Sequence, residues 1–235
     1  MTQAKLLDKD YRAERVQELE AAIGSMIALP QFPCVGAKSA LARDKLKVVV
    51  AHQLDSGWDD LEIHRQLLAW GRDYRESAED FRSLAVIFDG PLDLSETEFE
   101  NLMWERIQSM ADKDAWLGEA YDDRVSSNPD DPHFSLSFGG EAFFVVGLHP
   151  NASRPARRFL RPALIFNLHD QFERLRAADG KYEKMRSTIL DRDKDLAGDI
   201  NPMLATHGES SEARQYSGRQ VDDSWQCPFQ DRRAE

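Results

Sequence analysis

A glycine pair between two strand-like segments restricts the fold of this chain more than any other sequence feature. Residues 134–138, FSLSF, alternate apolar side chains with serines, and residues 141–148 form the apolar run EAFFVVGL. Between them, Gly139 and Gly140 allow the positive φ angles that a two-residue hairpin turn requires. The pattern predicts an antiparallel β-hairpin in which a one-sided strand leads into a more buried one.

Further apolar patterns predict two more strands and a set of helices. Residues 84–88, LAVIF, end at an Asp-Gly-Pro turn, and residues 163–168 form a second apolar run, ALIFNL. Ser95 begins a capping box with Glu98, which marks the start of a helix. Helical spacing of apolar residues predicts helices over residues 1–28, 37–54, 63–74, 95–110, 169–178 and 180–196.

The segment 37–54 admits two interpretations. Val48-Val49-Val50 suits a strand, because β-branched residues are common there. No turn residue interrupts the segment, however, and we therefore predict a helix over its whole length.

These elements predict an α+β fold with a small, mainly antiparallel sheet covered by helices. No repeat, low-complexity tract or composition shift marks a linker, so residues 1–235 are predicted to form one domain that begins with a helical segment, 1–30. Residues 198–235 lack periodicity, yet they carry aromatic and thiol side chains that a solvated tail would not need. We expect this C-terminal segment to be a long, ordered loop.

The charge of the chain excludes several classes of partner. Its 235 residues include 30 Lys plus Arg and 42 Asp plus Glu, which gives a formal net charge of −12 at pH 7. Nucleic-acid surfaces are usually basic, and no apolar run approaches the roughly 18 residues of a membrane span. The charged N-terminus lacks a signal-peptide core, and two cysteines are too few for a disulfide framework. We expect a cytoplasmic protein without nucleic-acid or membrane partners.

One short segment runs against this acidic background. Residues 153–161, SRPARRFLR, contain four arginines and no acid. A solvated basic face that pairs with acidic helices is the plain interpretation. The local density of arginine favours an anion site, for a carboxylate or a phosphate.

Three histidines and one cysteine are candidate iron ligands. His149 follows the strand EAFFVVGL, His169 occupies the corresponding place after ALIFNL, and His207 lies in the C-terminal segment. Cys227 stands between two aromatic residues, where a thiolate could coordinate iron. A capping role for His169 and a buried apolar role for Cys227 are the alternatives. The chain has no CxxC, HExxH, GxSxG, Walker or Rossmann motif, and a two-His-one-carboxylate iron site rests on spacing alone.

Five motifs in order along the chain resemble the YqcI/YcgG family. They are FPCVGAKSAL (32–41), LHPNASRPARRF (148–159), FNLHDQFERLR (166–176), NPMLATHGESSEARQYSGR (201–219) and WQCPF (225–229). Members of that family include haem-dependent N-oxygenases that act on a guanidine nitrogen of arginine or its cyclic derivatives, or on the side-chain amine of lysine.

The resemblance implies a haem b site and a set of residues for it. The axial iron ligand is expected to be His149, with Cys227 or His207 as alternatives. Ser153, Arg154, Arg157 and Arg158 are expected to bind the haem propionates. Catalytic roles are assigned to His169, His207, Glu209 and Glu212. Substrate binding is assigned to Glu209, Glu212, Tyr216 and Arg219 in a loop that closes over the site.

The function implied is N-hydroxylation of a basic amino acid or guanidino compound with a high-valent iron–oxo oxidant. An external reductant or peroxide would serve the reaction, and a homodimer is left open. Two alternatives stand beside this expectation. One is a non-haem iron oxygenase that uses the same histidines and glutamates, and the other is a haem-binding sensor or carrier without turnover.

Overall fold

A five-stranded mixed sheet organises the computed structural model, which describes residues 3–77, 81–203 and 209–233, with side chains from residue 13 onward. The strands are β1 (Leu46–Gln53), β2 (Ser83–Gly90), β3 (Leu136–Phe138), β4 (Glu141–Leu148) and β5 (Ala163–Leu168). Their order across the sheet is β1-β2-β5-β4-β3. β1 and β2 are parallel, and the other three neighbouring pairs are antiparallel.

Helices cover both faces of this sheet, which confirms the predicted α+β class. In the described chain they are α1 (Gln3–Ala28), α2 (Val35–Ala42), α3 (Asp60–Glu76), α4 (Glu96–Trp116), α5 (His169–Ala177), α6 (Lys181–Ala197) and α7 (Ala213–Tyr216). On one face, here called the α4 face, the sheet packs against α3, α4 and the C-terminal segment. On the other, the α1 face, α1 and α2 pack against alternate residues of the same strands. No described helix combines the length and apolarity that crossing a bilayer demands.

The predicted hairpin is present, with φ angles of 60° at Gly139 and 75° at Gly140. Its first strand is not one-sided, because Ser135 and Ser137 are as buried as the apolar residues between them. Ser135 Oγ donates to the Phe143 carbonyl, and Ser137 Oγ accepts the Asp122 N–H at 2.9 Å. These hydrogen bonds satisfy hydroxyls that would otherwise be costly to bury.

The helix predicted over 37–54 is wrong in its second half. Helix α2 ends at Ala42, the chain turns at Asp44 with a φ of 57°, and β1 begins at Leu46. Asp tolerates the left-handed region better than most residues, so it supplies a turn without glycine or proline. The valine run then pairs along β2 in parallel register, and that pairing overrides the helical interpretation.

A buried ionic cluster fixes the C-terminal segment to the rest of the molecule. Asp114, fully buried at the end of α4, accepts the Gly139 N–H at 3.0 Å and lies 2.7 Å from His64 Nε2. Arg233 donates to the same carboxylate at 2.6 Å and to the Ser137 carbonyl at 2.8 Å. The hairpin turn, helices α3 and α4, and the C-terminal segment at Arg233 therefore meet at one carboxylate.

We expect Arg233→Met to lower the free energy of unfolding by about 3–5 kcal/mol, because it leaves Asp114 buried with one charge partner fewer. The matched control is Arg232→Met, which removes the neighbouring ion pair to Asp112, whose side chains are 48% and 36% exposed. That change should cost less than about 1 kcal/mol. Urea denaturation of both variants measures the difference, and equal losses would contradict the buried cluster's role.

Candidate functional site

A cavity of about 300 Å³ lies between the α1 face of the sheet and helices α1, α2 and α6. Its size reaches the range of ligand pockets, roughly 300–1,000 Å³. It exists because α6 stands off the sheet: Asp193 is the helix's one fully buried residue, and Tyr182, Met185 and Ile189 are only partly buried along the cavity.

The cavity walls are mostly apolar. The residues that form them come from α1, the turn before α2, the strands β4 and β5, and the helices α5 and α6. They include Ile23, Met26, Ile27, Phe32, Phe144, Val146, Leu148, Ile165, Phe172, Met185 and Ile189. Such walls suit a ligand with a large apolar surface.

Arg157 lines the cavity and joins it to the C-terminal segment. Its guanidinium donates to the carbonyls of Gly147 at 3.0 Å, Tyr216 at 3.1 Å and Gln215 at 2.9 Å. Burial lowers the pKa of this guanidinium to about 10, which still leaves it charged at neutral pH. The side chain thus brings a positive charge to the cavity and holds α7 against β4.

Three further arginines line the cavity. Arg154 donates to Asp193 at 2.6 Å and to the Asp199 carbonyl at 3.0 Å, and Arg176 pairs with Glu173. Within the described chain, Arg186 has neither a hydrogen bond nor an ion pair. Together with Arg157 they make four arginines in the cavity lining, beside the carboxylates of Asp193 and Glu212. Arg186 is the one whose charge no described carboxylate neutralises.

Glu212 contributes a carboxylate to the same cavity. Its Oε1 lies 3.6 Å from His169 Nδ1 and its Oε2 lies 3.4 Å from the Tyr216 hydroxyl, while His169 Nε2 lies 3.0 Å from Glu173. Burial alone would lower the pKa of His169, but the two carboxylates outweigh it and raise that pKa. The imidazole therefore lies beside Glu212 and is not itself part of the cavity lining.

Cys34 is a cavity residue that the sequence interpretation did not place. It is the N-cap of α2, and its Sγ accepts the Ala37 N–H at 3.4 Å. Burial raises the pKa of the thiol, while the backbone N–H groups of Ala37 and Gly36 and the charge of Arg157 oppose that rise. The signal that could have located it was its position between Pro33 and the start of a helix.

His149 lies away from the cavity. Leu148 lines the cavity, and side chains alternate between the two faces of a strand, so the next residue turns to the α4 face. There His149 is buried and stacks on Phe99, with ring centroids 4.4 Å apart. Among the described residues its Nδ1 has no hydrogen-bond partner, and burial lowers the pKa of the imidazole.

His149 and His169 do not occupy corresponding places, contrary to the sequence interpretation. β4 and β5 are antiparallel, with Leu148 opposite Ala163 and Leu168 opposite Phe143. The residues that follow the two strands therefore lie at opposite ends of the sheet, about 24 Å apart along the strand direction.

The other predicted residues hold loops together or lie outside the cavity lining. Ser153 donates to Glu96, Arg158 donates to the Ala152 and Ser153 carbonyls, and Arg219 pairs with Glu100 on α4. Cys227 packs against the core of the α4 face, where burial raises its pKa to about 12.

Of the predicted set, Arg154, Arg157 and Glu212 come together at the cavity. Glu209 is exposed and is not part of the lining, and Tyr216 is buried beside Glu212. His207 lies outside the described residues. Among the residues that are described, no group of three or more His, Cys, Asp or Glu side chains could hold a metal ion by itself.

Comparisons with known proteins cover this whole region. The model of the YqcI/YcgG family matches residues 23–230, which include every residue that lines the cavity. The uncharacterized protein YqcI of Bacillus subtilis (strain 168) is 28% identical over 210 residues, 85% of this chain and 80% of YqcI. The uncharacterized protein YcgG of the same strain is 25% identical over 209 residues, 84% of this chain and 80% of YcgG. No solved structure matches. With most of its length matched in this way, the chain belongs to the YqcI/YcgG family.

Proposed function

We propose that the protein binds haem b in the cavity and uses it to hydroxylate a nitrogen of a small basic amino acid or guanidino compound. One observation carries the proposal: a cavity of about 300 Å³ with mostly apolar walls and four arginines in its lining. Haem combines matching apolar and charged parts, because its ring is flat and apolar and its two propionates are anionic. The residues present therefore fit haem in both polarity and charge.

The four arginines of the lining would bind the propionates unequally. Arg154 already pairs with Asp193, and Arg157 uses three donor interactions on backbone carbonyls, so both have limited capacity for a further anion. Arg186 has no partner in the described chain and lines the cavity from α6. We assign the first propionate contact to Arg186, with Arg154 and Arg157 adding positive potential beside it.

Glu212 would hold the cationic end of the substrate. It is the glutamate of the cavity lining, and contacts from His169 and the Tyr216 hydroxyl fix its orientation. A carboxylate held in this way can accept hydrogen bonds from a guanidinium or an ammonium group. The apolar residues of α1 and α6 would limit water around it, which strengthens the interaction.

Bound haem would supply the activation of oxygen. One oxygen atom of O₂ enters the N–O bond and the other leaves as water, with two electrons and two protons from outside the protein. Peroxide supplies oxygen already reduced by those two electrons. The task of this chain is to hold the substrate nitrogen and to keep water out.

We expect the protein reconstituted with haem to show a Soret absorption band at one haem per chain. Charge reversal in the cavity lining, Arg186→Glu, should weaken haem binding about 10- to 100-fold, the value of one charge-assisted hydrogen bond. The control is Lys184→Glu, the same charge change at an exposed position of α6 outside the cavity lining. Absence of the band from the wild-type protein, or equal weakening by both variants, would contradict the proposal.

We expect arginine, lysine or a related guanidine to shift the Soret band of the haem-loaded protein when the compound is titrated in. Glu212→Gln should raise the dissociation constant of the compound that shifts the band about 10-fold or more, because the amide keeps the shape of the carboxylate but loses its charge. Glu209→Gln is the control, at an exposed position outside the cavity lining. A band that responds to none of these compounds would point instead to a haem carrier without turnover.

A further inference from the structure

We propose that Cys34 binds the haem iron through its thiolate. The inference rests on the proposed function, because it takes the cavity as the haem site. It assigns the iron to a residue on the α1 side of the sheet, away from His149 and Cys227.

The position of Cys34 carries the assignment. Among the cysteines and histidines of the described chain, Cys34 is the one that lines the cavity. His149 stacks on Phe99 across the sheet, and Cys227 packs against the core of the α4 face. Of these three side chains, Cys34 is therefore the one that a haem ring between the sheet and α6 could reach.

Burial raises the pKa of the Cys34 thiol above its ordinary value, and the neighbours of the sulfur oppose that rise. Sγ accepts the Ala37 N–H at the N-terminus of α2, where the helix dipole favours negative charge. Arg157 lines the same cavity, and the Lys38 ammonium, bonded to the Ile27 carbonyl at 2.9 Å, stands one turn into the helix. A helix N-terminus and basic side chains favour thiolate, and bound iron would add the further positive charge that offsets the burial of the sulfur.

Iron binding requires the Cys34 thiol to lose its proton. The S–H bond breaks, the Fe–S bond forms, and the proton leaves to water, since thiolate is the form that ligates metal. A thiolate ligand donates electron density to iron, which favours O–O bond cleavage. The ligand would thus match the oxygen chemistry proposed for the site.

The test compares haem-loaded wild-type protein with Cys34→Ser, Cys34→His and Cys227→Ser. Each is reduced, exposed to carbon monoxide and measured by absorption spectroscopy, because thiolate-ligated haem gives a strongly red-shifted ferrous–CO band. We expect that band in wild-type and Cys227→Ser. Cys34→Ser should lose it, and Cys34→His should retain haem with a band typical of histidine ligation. Serine is a preferred N-cap, so α2 should persist in Cys34→Ser, which circular dichroism checks.

The outcomes separate this inference from the proposed function. A wild-type protein that binds no haem overturns both. A wild-type protein that binds haem without the red-shifted band, or a Cys34→Ser variant that keeps it, overturns the ligand assignment and leaves the haem proposal standing. If Cys227→Ser loses the band and Cys34→Ser keeps it, the iron ligand lies in the C-terminal segment. That result also overturns the assignment to Cys34.

Discussion

The guanidinium of Arg157 connects the sheet to the C-terminal segment at the edge of β4 that β3 leaves uncovered. β3 pairs with β4 over residues 141–143, so the later carbonyls of β4 need other donors. Arg157 donates to one of them, at Gly147, and to the carbonyls of Gln215 and Tyr216. A buried guanidinium is tolerated only with such hydrogen bonds. Because these bonds hold α7 beside β4, they also set the position of Glu212 at the cavity.

Glycine at position 147 makes this close packing possible. A side chain there would place its Cβ 2.7 Å from Phe99 Cε1 and 3.0 Å from the Tyr216 carbonyl oxygen. On the neighbouring positions of β4, Leu148 lines the cavity while Val145 packs into the core of the α4 face. The α4 face is thus filled by its own side chains and by α7, whereas the α1 face leaves room under α6. The division follows from strand alternation and the position of one helix.

Much of the fold followed from local patterns, whereas the site depended on relations between segments. The Gly139-Gly140 turn and the capping box at Ser95 are written in a few neighbouring residues, and both are present. The strand β1 was missed because Asp44 makes the turn without the usual residues and because pairing with β2 decides the outcome. His149 and His169 were wrongly predicted to occupy corresponding places. Local sequence does not encode strand direction, and strand direction decides at which edge of the sheet a strand ends.

The arginines of residues 153–161 are a further case in which local sequence did not predict the contacts of the side chains. Their density in the sequence indicated one anion site, but each side chain connects a different part of the structure. Arg154 reaches Asp193 on α6, Arg157 the C-terminal segment, Arg158 its own loop, and Arg161 the Asp89 carbonyl at the end of β2. The acid-free run therefore serves largely to gather segments. The charge available to a ligand comes from Arg186 on α6, and it arises because that helix lies over a cavity instead of packing on the sheet.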